Sequence, residues 1–295
     1  MIVGAQKAGT TSLKEYLGEH PEITTHPQKE FAYFYDDDEY KMGYSFAFNK
    51  YFRYSSLQNK LIAKNAGLYV KEEAIARLKH HNPDCKIVLI LRDPVERTFS
   101  SYNMEYNYGS ISEPFSSIRN IIENNSEGED DWKFEILVGM SIYINFVRNL
   151  YRYFPKKNIR ILKFEDLKKN PETIVRDLFA WLNINTDFKP ATSVIHNKTY
   201  STKSPLYSKA IKTFTQKKSI IKKLALLVIP AGQHYKIGDY FRKFNYTNQE
   251  MPDIPADTEL FLRAYFKPYN EELSQLTGID FSEWNVKVKI AEYGV

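Results

Sequence analysis

Continuous apolar runs alternate along this chain with segments whose apolar residues recur at helical spacing. Residues 86–91 (KIVLIL) form a β-branched and leucine run of the kind that is buried on both faces of a parallel sheet. Residues 159–164 (IRILKF) repeat the pattern, and residues 134–154 between them have the spacing of one long core helix. This alternation predicts an α/β fold in which a central parallel β-sheet is flanked by helices. We expect a single domain that covers residues 1–295.

Polar residues before two prolines predict where helices begin. Asp93-Pro94 follows the first apolar run and Asn170-Pro171 follows the second. Asp and Asn cap helix N-termini, and proline is favoured at the first helical position. We therefore expect a helix over residues 95–106 and a second helix that continues to residue 182.

Length and charge narrow the function classes. The 295 residues are 43% hydrophobic and can bury the core of one large domain. The net charge of +5, from 41 basic and 36 acidic residues, suits an anionic ligand but is too small for a nucleic-acid-binding protein. The single cysteine, Cys85, excludes an internal disulfide framework and fits a reducing compartment. Because neither a signal peptide nor a bilayer-spanning run is recognisable, we expect a soluble, cytoplasmic protein.

Residues 4–11 (GAQKAGTT) follow the apolar start of the chain and predict a phosphate-binding loop. Gly4 and Gly9 allow the backbone to turn so that successive N–H groups converge on an anion, and Lys7 supplies a mobile cation. The glycine spacing matches a Walker A loop, but that motif needs a lysine where this chain has Thr10. The displaced lysine argues against a nucleoside triphosphatase and favours a different phosphate ester. A plain strand-to-helix turn is the alternative interpretation.

Arg92 and Ser100 extend this predicted anion site. Because ligands gather at the carboxyl ends of parallel strands, Lys7 and Arg92 should lie at the same edge of the sheet. Ser100, two turns into the following helix, adds a hydroxyl. A structural salt bridge for Arg92 and a merely small helix residue at Ser100 are the alternatives. Because of Asp93, a Mg-dependent P-loop enzyme stays an alternative function, since such enzymes place an aspartate at the end of a buried strand.

Five strings in order along the chain carry a family resemblance. They are GAQKAGTTSL at residues 4–13, KEFAYF at 29–34, LRDPVERTFSSY at 91–102, FPKKNIRILKFEDL at 154–167 and LTGIDFSEW at 276–284. Together they resemble sulfotransferases that use 3′-phosphoadenosine 5′-phosphosulfate (PAPS). The resemblance is closer to the heparan-sulfate-type and bacterial branches than to the cytosolic phenol and steroid branch, whose C-terminal RKGxxGDWK string is absent.

The resemblance implies transfer of a sulfuryl group from PAPS to a hydroxyl or amine of a carbohydrate or glycolipid, with 3′,5′-ADP as product and no metal. Lys7 matches the lysine that contacts the bridging oxygen of the phosphosulfate, where negative charge builds as the S–O bond breaks. Arg92 and Ser100 match the pair that binds the 3′-phosphate. The loop residues implied to bind the donor are Gly4, Ala5, Gln6, Lys7, Ala8, Gly9, Thr10, Thr11 and Ser12.

Glu30, in KEFAYF, matches the acidic general base of the heparan-sulfate-type branch, which accepts the acceptor proton. Two alternatives remain open from the residues themselves. Glu30 can be a surface carboxylate that pairs with Lys29, and His26 is a competing base because a neutral imidazole can do the same work.

Two further lysines match the family less well. Lys64 aligns with a lysine that lies close to the transferred group, but the family places that lysine before Ser/Thr-Pro and here Asn65-Ala66 follows. Lys203 occupies the place of a late basic residue that closes over the nucleotide phosphates, and a solvated loop lysine is its alternative. We include Lys64 among the catalytic candidates and Lys203 among the donor-binding candidates.

Residues 208–244 hold nine basic residues and one acid, interleaved with apolar side chains. This segment predicts an insertion or cap that contacts an anionic glycan or, peripherally, a membrane surface, with a solvated helix packed on the core as the alternative. Residues 106–131 are the other candidate source of the acceptor site. Two other functions stay open for the whole chain: a Mg-dependent P-loop kinase, and a non-catalytic protein that binds polyanions or membranes.

Overall fold

The computed structural model describes residues 1–52, 60–125, 132–192, 201–202, 207, 246–247 and 253–286. The chain divides into two compact units. The first consists of Met1–Arg97, Met140–Asn197 and Ala264–Val295, and the second of Thr98–Gly139 and Lys198–Arg263. The single domain expected from the sequence stays a prediction. Lys203, residues 208–244 and the last six residues, 126–131, of the candidate acceptor segment 106–131 lie outside the described residues.

Strands and helices alternate through the first unit, as the sequence pattern predicts. The strands are β1 (Ile2–Gly4), β2 (Ile23–Thr25), β3 (Lys60–Ile62), β4 (Ile87–Leu91), β5 (Ile159–Lys163), β6 (Ser201–Thr202) and β7 (Tyr246–Thr247). The helices are α1 (Thr10–Gly18), α2 (Asp37–Lys41), α3 (Tyr44–Tyr51), α4 (Glu72–His81), α5 (Pro94–Asn107), α6 (Ile118–Asn124), α7 (Trp132–Leu137), α8 (Tyr143–Tyr153), α9 (Phe164–Lys169), α10 (Pro171–Leu182) and α11 (Ala256–Thr277). Strands β6 and β7 form an antiparallel pair in the second unit.

The central sheet is parallel, with strand order β1-β4-β5. All five residues of β4 are buried, as expected for a strand covered on both faces. Strands β2 and β3 form a second parallel pair, and Lys64 just after β3 makes an isolated parallel bridge to Ile2 of β1. Helices α1, α8 and α10 bury apolar side chains at three- and four-residue spacing. The α/β fold with a parallel sheet flanked by helices is therefore confirmed.

The predicted helix starts are confirmed, but one predicted helix is wrong. Helix α5 begins at Pro94, and Asp93 Oδ1 accepts the N–H of Val95 at 2.8 Å. Helix α10 begins at Pro171, although the side chain of Asn170 makes no capping hydrogen bond. The single helix predicted over residues 134–154 is broken into α7 and α8 by a 3-10 turn at Gly139–Ser141. Glycine is a weak helix former, which favours a break at Gly139. In the turn, the carbonyl of Met140 accepts a hydrogen bond from the hydroxyl of Tyr69 at 2.8 Å instead of from a helix amide.

Gly4 ends β1 where the ring of Tyr69 packs against the backbone. A Cβ atom at this position would lie 2.3 Å from Cδ1 of Tyr69, far inside van der Waals contact. Tyr69 itself is fully buried and anchored through its hydroxyl. The chain therefore needs glycine here because of the close approach of an aromatic ring.

We predict that Gly4→Ala lowers the free energy of unfolding by about 1–3 kcal/mol, the usual cost of overpacking a rigid core. Urea unfolding followed by circular dichroism measures the change. Gly67→Ala is the matched control, because a Cβ there would meet its nearest atoms at an ordinary 3.7 Å. Equal stability of the two variants would contradict this account of Gly4.

Candidate active site

The loop between β1 and α1 is built as a tight turn at the carboxyl edge of the sheet. Ala5 donates its N–H to the carbonyl of Ile90 on β4 at 2.7 Å, and Ala8 N–H returns to the carbonyl of Ala5 at 3.2 Å. Gly9 precedes α1 with a φ of 79°, and a Cβ there would lie 2.9 Å from the ring of Phe164. The first-turn amides of a helix have no intrahelical acceptor, so they and the helix dipole favour an anion at this position.

Lys7 lies at the centre of this loop with a φ of 72°. The left-handed region is uncommon for a residue with a side chain and costs on the order of 1–3 kcal/mol, which the surrounding structure must offset. The carbonyl of Lys7 accepts a hydrogen bond from Arg92 Nη1 at 3.3 Å. The prediction that Lys7 and Arg92 lie at the same edge of the sheet is thus confirmed.

Arg92 is held on three sides directly after β4. Its Nη2 pairs with Glu96 Oε2 at 3.1 Å, and its guanidinium lies over the ring of Phe164, 5.1 Å from the ring centre. Its carbonyl accepts the hydroxyl proton of Tyr143 at 2.9 Å. The side chain keeps one fifth of its surface exposed, since its relative exposure is 20%. Arg92 therefore makes the structural salt bridge considered from sequence and still presents a fixed cation beside the loop.

Glu30, Lys64 and Thr11 meet beside the loop. Lys64 Nζ donates to Glu30 Oε1 at 2.7 Å and to Thr11 Oγ1 at 3.3 Å. The backbone N–H of Ala66 donates to the other carboxylate oxygen, Glu30 Oε2, at 2.9 Å. The lysine side chain is 1% exposed whereas the glutamate side chain is 35% exposed, so a buried cation holds a carboxylate that faces solvent. Burial lowers the pKa of Lys64, and the charge of Glu30 opposes that shift.

This geometry bears on the two alternatives for Glu30. Its ion partner is Lys64 at 2.7 Å, so the contact differs from the Lys29 pair that a surface carboxylate would make. His26 is buried, and its Nε2 accepts the backbone N–H of Lys64 at 3.1 Å. Burial, together with the charges of Lys14 and Lys64, lowers the pKa of His26 from 6.5 to about 4. Of the two predicted bases, the side chain of Glu30 is exposed to solvent and that of His26 is buried.

Two buried cations behind the loop were missed by sequence reasoning. Lys14 on α1 is buried and donates from Nζ to the carbonyl of His26 at 2.9 Å. Arg97 on α5 is 0% exposed and donates from Nε to the carbonyl of Gln6 at 3.4 Å. Basic residues are rarely buried, so the apolar pattern of their helices gave no signal for them.

The remaining predicted site residues divide by position. Thr10 is buried, and Thr11 and Ser12 are half-buried in the first turn of α1. Ser100 is buried on α5 within the second unit, whereas Arg92 belongs to the first, so their joint role stays a prediction. Lys203 lies outside the described residues.

Amides of a helix N-terminus, the guanidinium of Arg92 and a lysine-held carboxylate thus lie at one edge of a parallel sheet. This combination makes the edge a candidate anion-binding site of an α/β protein. A model of the sulfotransferase domain family matches residues 1–225, and the chain therefore belongs to that family. The family predicted from the sequence is confirmed.

Curated relatives extend the comparison. The chain is 26% identical to membrane-associated sulfotransferase kil1 of Dictyostelium discoideum, over 67% of this chain and 59% of that protein. It is 23% identical to heparan sulfate glucosamine 3-O-sulfotransferase 3A1 of Mus musculus, over 95% of this chain and 63% of that protein. It is also 23% identical to bifunctional heparan sulfate N-deacetylase/N-sulfotransferase 3 of Mus musculus, over 94% of this chain and 29% of that protein. The chain thus spans between 29% and 63% of the length of these relatives.

A solved structure agrees with the fold. The chain is similar to the crystal structure of a sulfotransferase from Alicyclobacillus acidocaldarius, with a TM-score of 0.64, 22% sequence identity and 97% of both chains covered. Within the described ranges, no helix is both long and apolar enough to cross a membrane.

The buried His26 predicts a pH dependence of stability. Its pKa is about 4 in the folded protein and 6.5 when unperturbed, so the unfolded chain binds a proton that the folded chain does not as the pH falls from 6.5 to 4. Stability must therefore decrease over this window, by up to about 3 kcal/mol from this group.

His26→Gln keeps a hydrogen-bond acceptor but does not titrate, so we expect a flatter stability profile between pH 6.5 and 4 than in the wild type. Urea unfolding at a series of pH values measures both profiles. His80→Gln, at an exposed position on α4, is the control and should follow the wild type. A His26→Gln profile with the wild-type slope would refute the assignment.

Proposed function

We propose that this protein transfers a sulfuryl group from PAPS to a hydroxyl or amine acceptor by in-line displacement, with Glu30 as base and Lys7 at the leaving group. The observation that carries the proposal is the bridge made by Lys64, whose ammonium contacts both the Glu30 carboxylate and the Thr11 hydroxyl in the first turn of α1. A carboxylate open to solvent therefore lies one side chain away from the loop that would hold the donor.

Sulfuryl transfer needs a base near the acceptor and a cation near the leaving group. The acceptor oxygen or nitrogen attacks sulfur, the bond between sulfur and the bridging phosphate oxygen breaks, and 3′,5′-ADP leaves. Glu30 takes the acceptor proton as the new bond forms. Negative charge grows on the bridging oxygen, so a cation from Lys7 there stabilises the transition state more than the bound donor.

In this proposal, the loop between β1 and α1 and the end of the adjacent strand β4 recognise different phosphates of the donor. The first-turn amides of α1, with Thr10, Thr11 and Ser12, would hold the 5′-phosphate. Arg92 would bind the 3′-phosphate, together with Ser100, because a guanidinium matches phosphate geometry with two parallel N–H groups. The fixed position of Arg92 over Phe164 supports this role.

A carbohydrate is the acceptor that we propose. Two of the three relatives above are named for sulfation of heparan sulfate, over 94% and 95% of this chain. A half-exposed carboxylate suits a sugar hydroxyl or amine, which must enter from solvent. The proposed glycan or membrane contact of residues 208–244 and the cytoplasmic location stay predictions.

The alternative of a Mg-dependent kinase rests on Asp93, which would have to bind the metal. Asp93 Oδ1 instead accepts the N–H groups of Val95 at 2.8 Å and Glu96 at 3.4 Å, so this oxygen caps α5. The donor carrying a 3′-phosphate is the better match for the cation at Arg92.

Nucleotide binding separates these two functions. We expect 3′,5′-ADP to bind more tightly than ATP in isothermal calorimetry, and EDTA to leave both affinities unchanged, because the loop lysine and Arg92 recognise two separate phosphates. Tighter binding of ATP that depends on Mg²⁺ would reject the proposed donor.

Glu30→Gln tests the base. We expect kcat for sulfuryl transfer from PAPS to fall at least about 100-fold, the usual share of a general base, while the affinity for 3′,5′-ADP stays within about threefold. Glu15→Gln is a matched control, because Glu15 is 40% exposed and pairs with the buried Lys14 at 3.0 Å, much as Glu30 pairs with Lys64. Transfer by Glu30→Gln at the rate of the control would remove Glu30 as the base.

A further inference from the structure

The left-handed backbone conformation of Lys7 is unfavourable, so contacts with neighbouring groups must stabilise it. The φ and ψ angles of a residue are the rotations of the two planar peptide units on either side of its Cα atom. Fixing both peptide planes therefore fixes the conformation of Lys7. The first plane carries the carbonyl of Gln6, and the second carries the carbonyl of Lys7 itself.

Both carbonyls accept hydrogen bonds from arginines of one strand-helix unit. Arg97 Nε donates to Gln6 O at 3.4 Å, and Arg92 Nη1 donates to Lys7 O at 3.3 Å. One arginine thus holds the plane before Lys7 and the other holds the plane after it. Arg92 lies just after β4 and Arg97 in the first turns of α5, so the pairing of β1 with β4 brings both to the loop.

Arg97 is anchored from behind. Its Nη1 donates to Ser141 Oγ at 3.3 Å, its Nη2 contacts Met140 Sδ at 3.2 Å, and the side chain is fully buried. The guanidinium fork reaches acceptors in three directions with fixed geometry, which a lysine with one terminal nitrogen cannot do. The 3-10 turn at Gly139–Ser141 supplies two of these contacts, which gives the break between α7 and α8 a role at the loop.

We propose that Arg97 is a positioning residue for sulfuryl transfer: it holds the peptide before Lys7 so that this lysine keeps the left-handed conformation from which its ammonium reaches the leaving group. The inference rests on the proposed function. It assigns Arg97 an effect that passes through Lys7, whereas Arg92 acts on the donor as well as on the loop.

A double-mutant cycle tests this path, because coupled residues give non-additive changes. In Arg97→Lys, which keeps the positive charge but loses the fork, we expect kcat to fall at least about tenfold, with the affinity for 3′,5′-ADP changed less than about threefold. In a Lys7→Ala background, Arg97→Lys should change kcat less than about twofold, since the side chain that it positions is gone. An equal loss in both backgrounds, or no loss in the single variant, would overturn the proposal.

Amide hydrogen exchange gives a readout that does not depend on activity. We expect the peptide covering residues 4–12 to exchange faster in Arg97→Lys than in the wild type, while peptides from β4 keep their protection. Unchanged exchange in residues 4–12 would overturn the assignment of Arg97. If the wild type itself transfers no sulfuryl group from PAPS, the proposed function fails, and the exchange result still decides whether Arg97 holds the loop.

Two further variants guard against a loss of folding. Arg77→Lys is the matched control for the arginine-to-lysine change, because Arg77 on α4 is also largely covered, with 12% exposure, and donates to the carbonyl of Phe34 at 3.3 Å. It should keep wild-type kcat and exchange. If Arg97→Lys does not fold, Ser141→Ala removes one anchor of the guanidinium, and we expect a smaller change in kcat and exchange in the same direction. Wild-type values for Ser141→Ala would then count against the proposal.

Discussion

Ala5 donates its backbone N–H to the carbonyl of Ile90. This contact between the end of β1 and the end of β4 fixes where the loop between β1 and α1 leaves the sheet. Because the two strands are parallel and adjacent, each continues into its own helix from the same edge. The loop before α1 and the arginine before α5 are therefore neighbours for a topological reason. A sheet in which β1 paired elsewhere would contain the same motifs without a shared site.

Three buried cations surround this edge, and each is compensated differently. Lys14 donates to a backbone carbonyl and pairs with Glu15, Lys64 pairs with Glu30 and donates to the Thr11 hydroxyl, and Arg97 divides its donors among a carbonyl, a hydroxyl and a sulfur. Burying a charge without such partners costs several kcal/mol. Compensated in this way, the charged groups are held in place and need no rearrangement when an anion arrives. Such electrostatic preorganisation is what the proposed sulfuryl transfer would need.

The local features of the fold could be predicted from the sequence because they depend on neighbouring residues. The buried run of β4, the cap at Asp93 and the helix start at Pro94 follow from residues within one or two turns of each other. The contact of Lys64 with Glu30 joins residues 34 positions apart, and apolar periodicity carries no information about it. In the sequence, only the family resemblance indicates a role for these two residues. Arg97 had no such signal, since a buried arginine interrupts the pattern that identifies a core face.

Ala66 gives the site an unusual dependence on the main chain. One oxygen of Glu30 is oriented by a backbone N–H, and this donor is present in every amino acid except proline. The orientation of the carboxylate should therefore be insensitive to exchange of residue 66 for other small side chains, whereas proline, which has no N–H, would remove this contact. How the Glu30 carboxylate is held is thus set by the path of the main chain at residue 66 as well as by the side chain of Lys64.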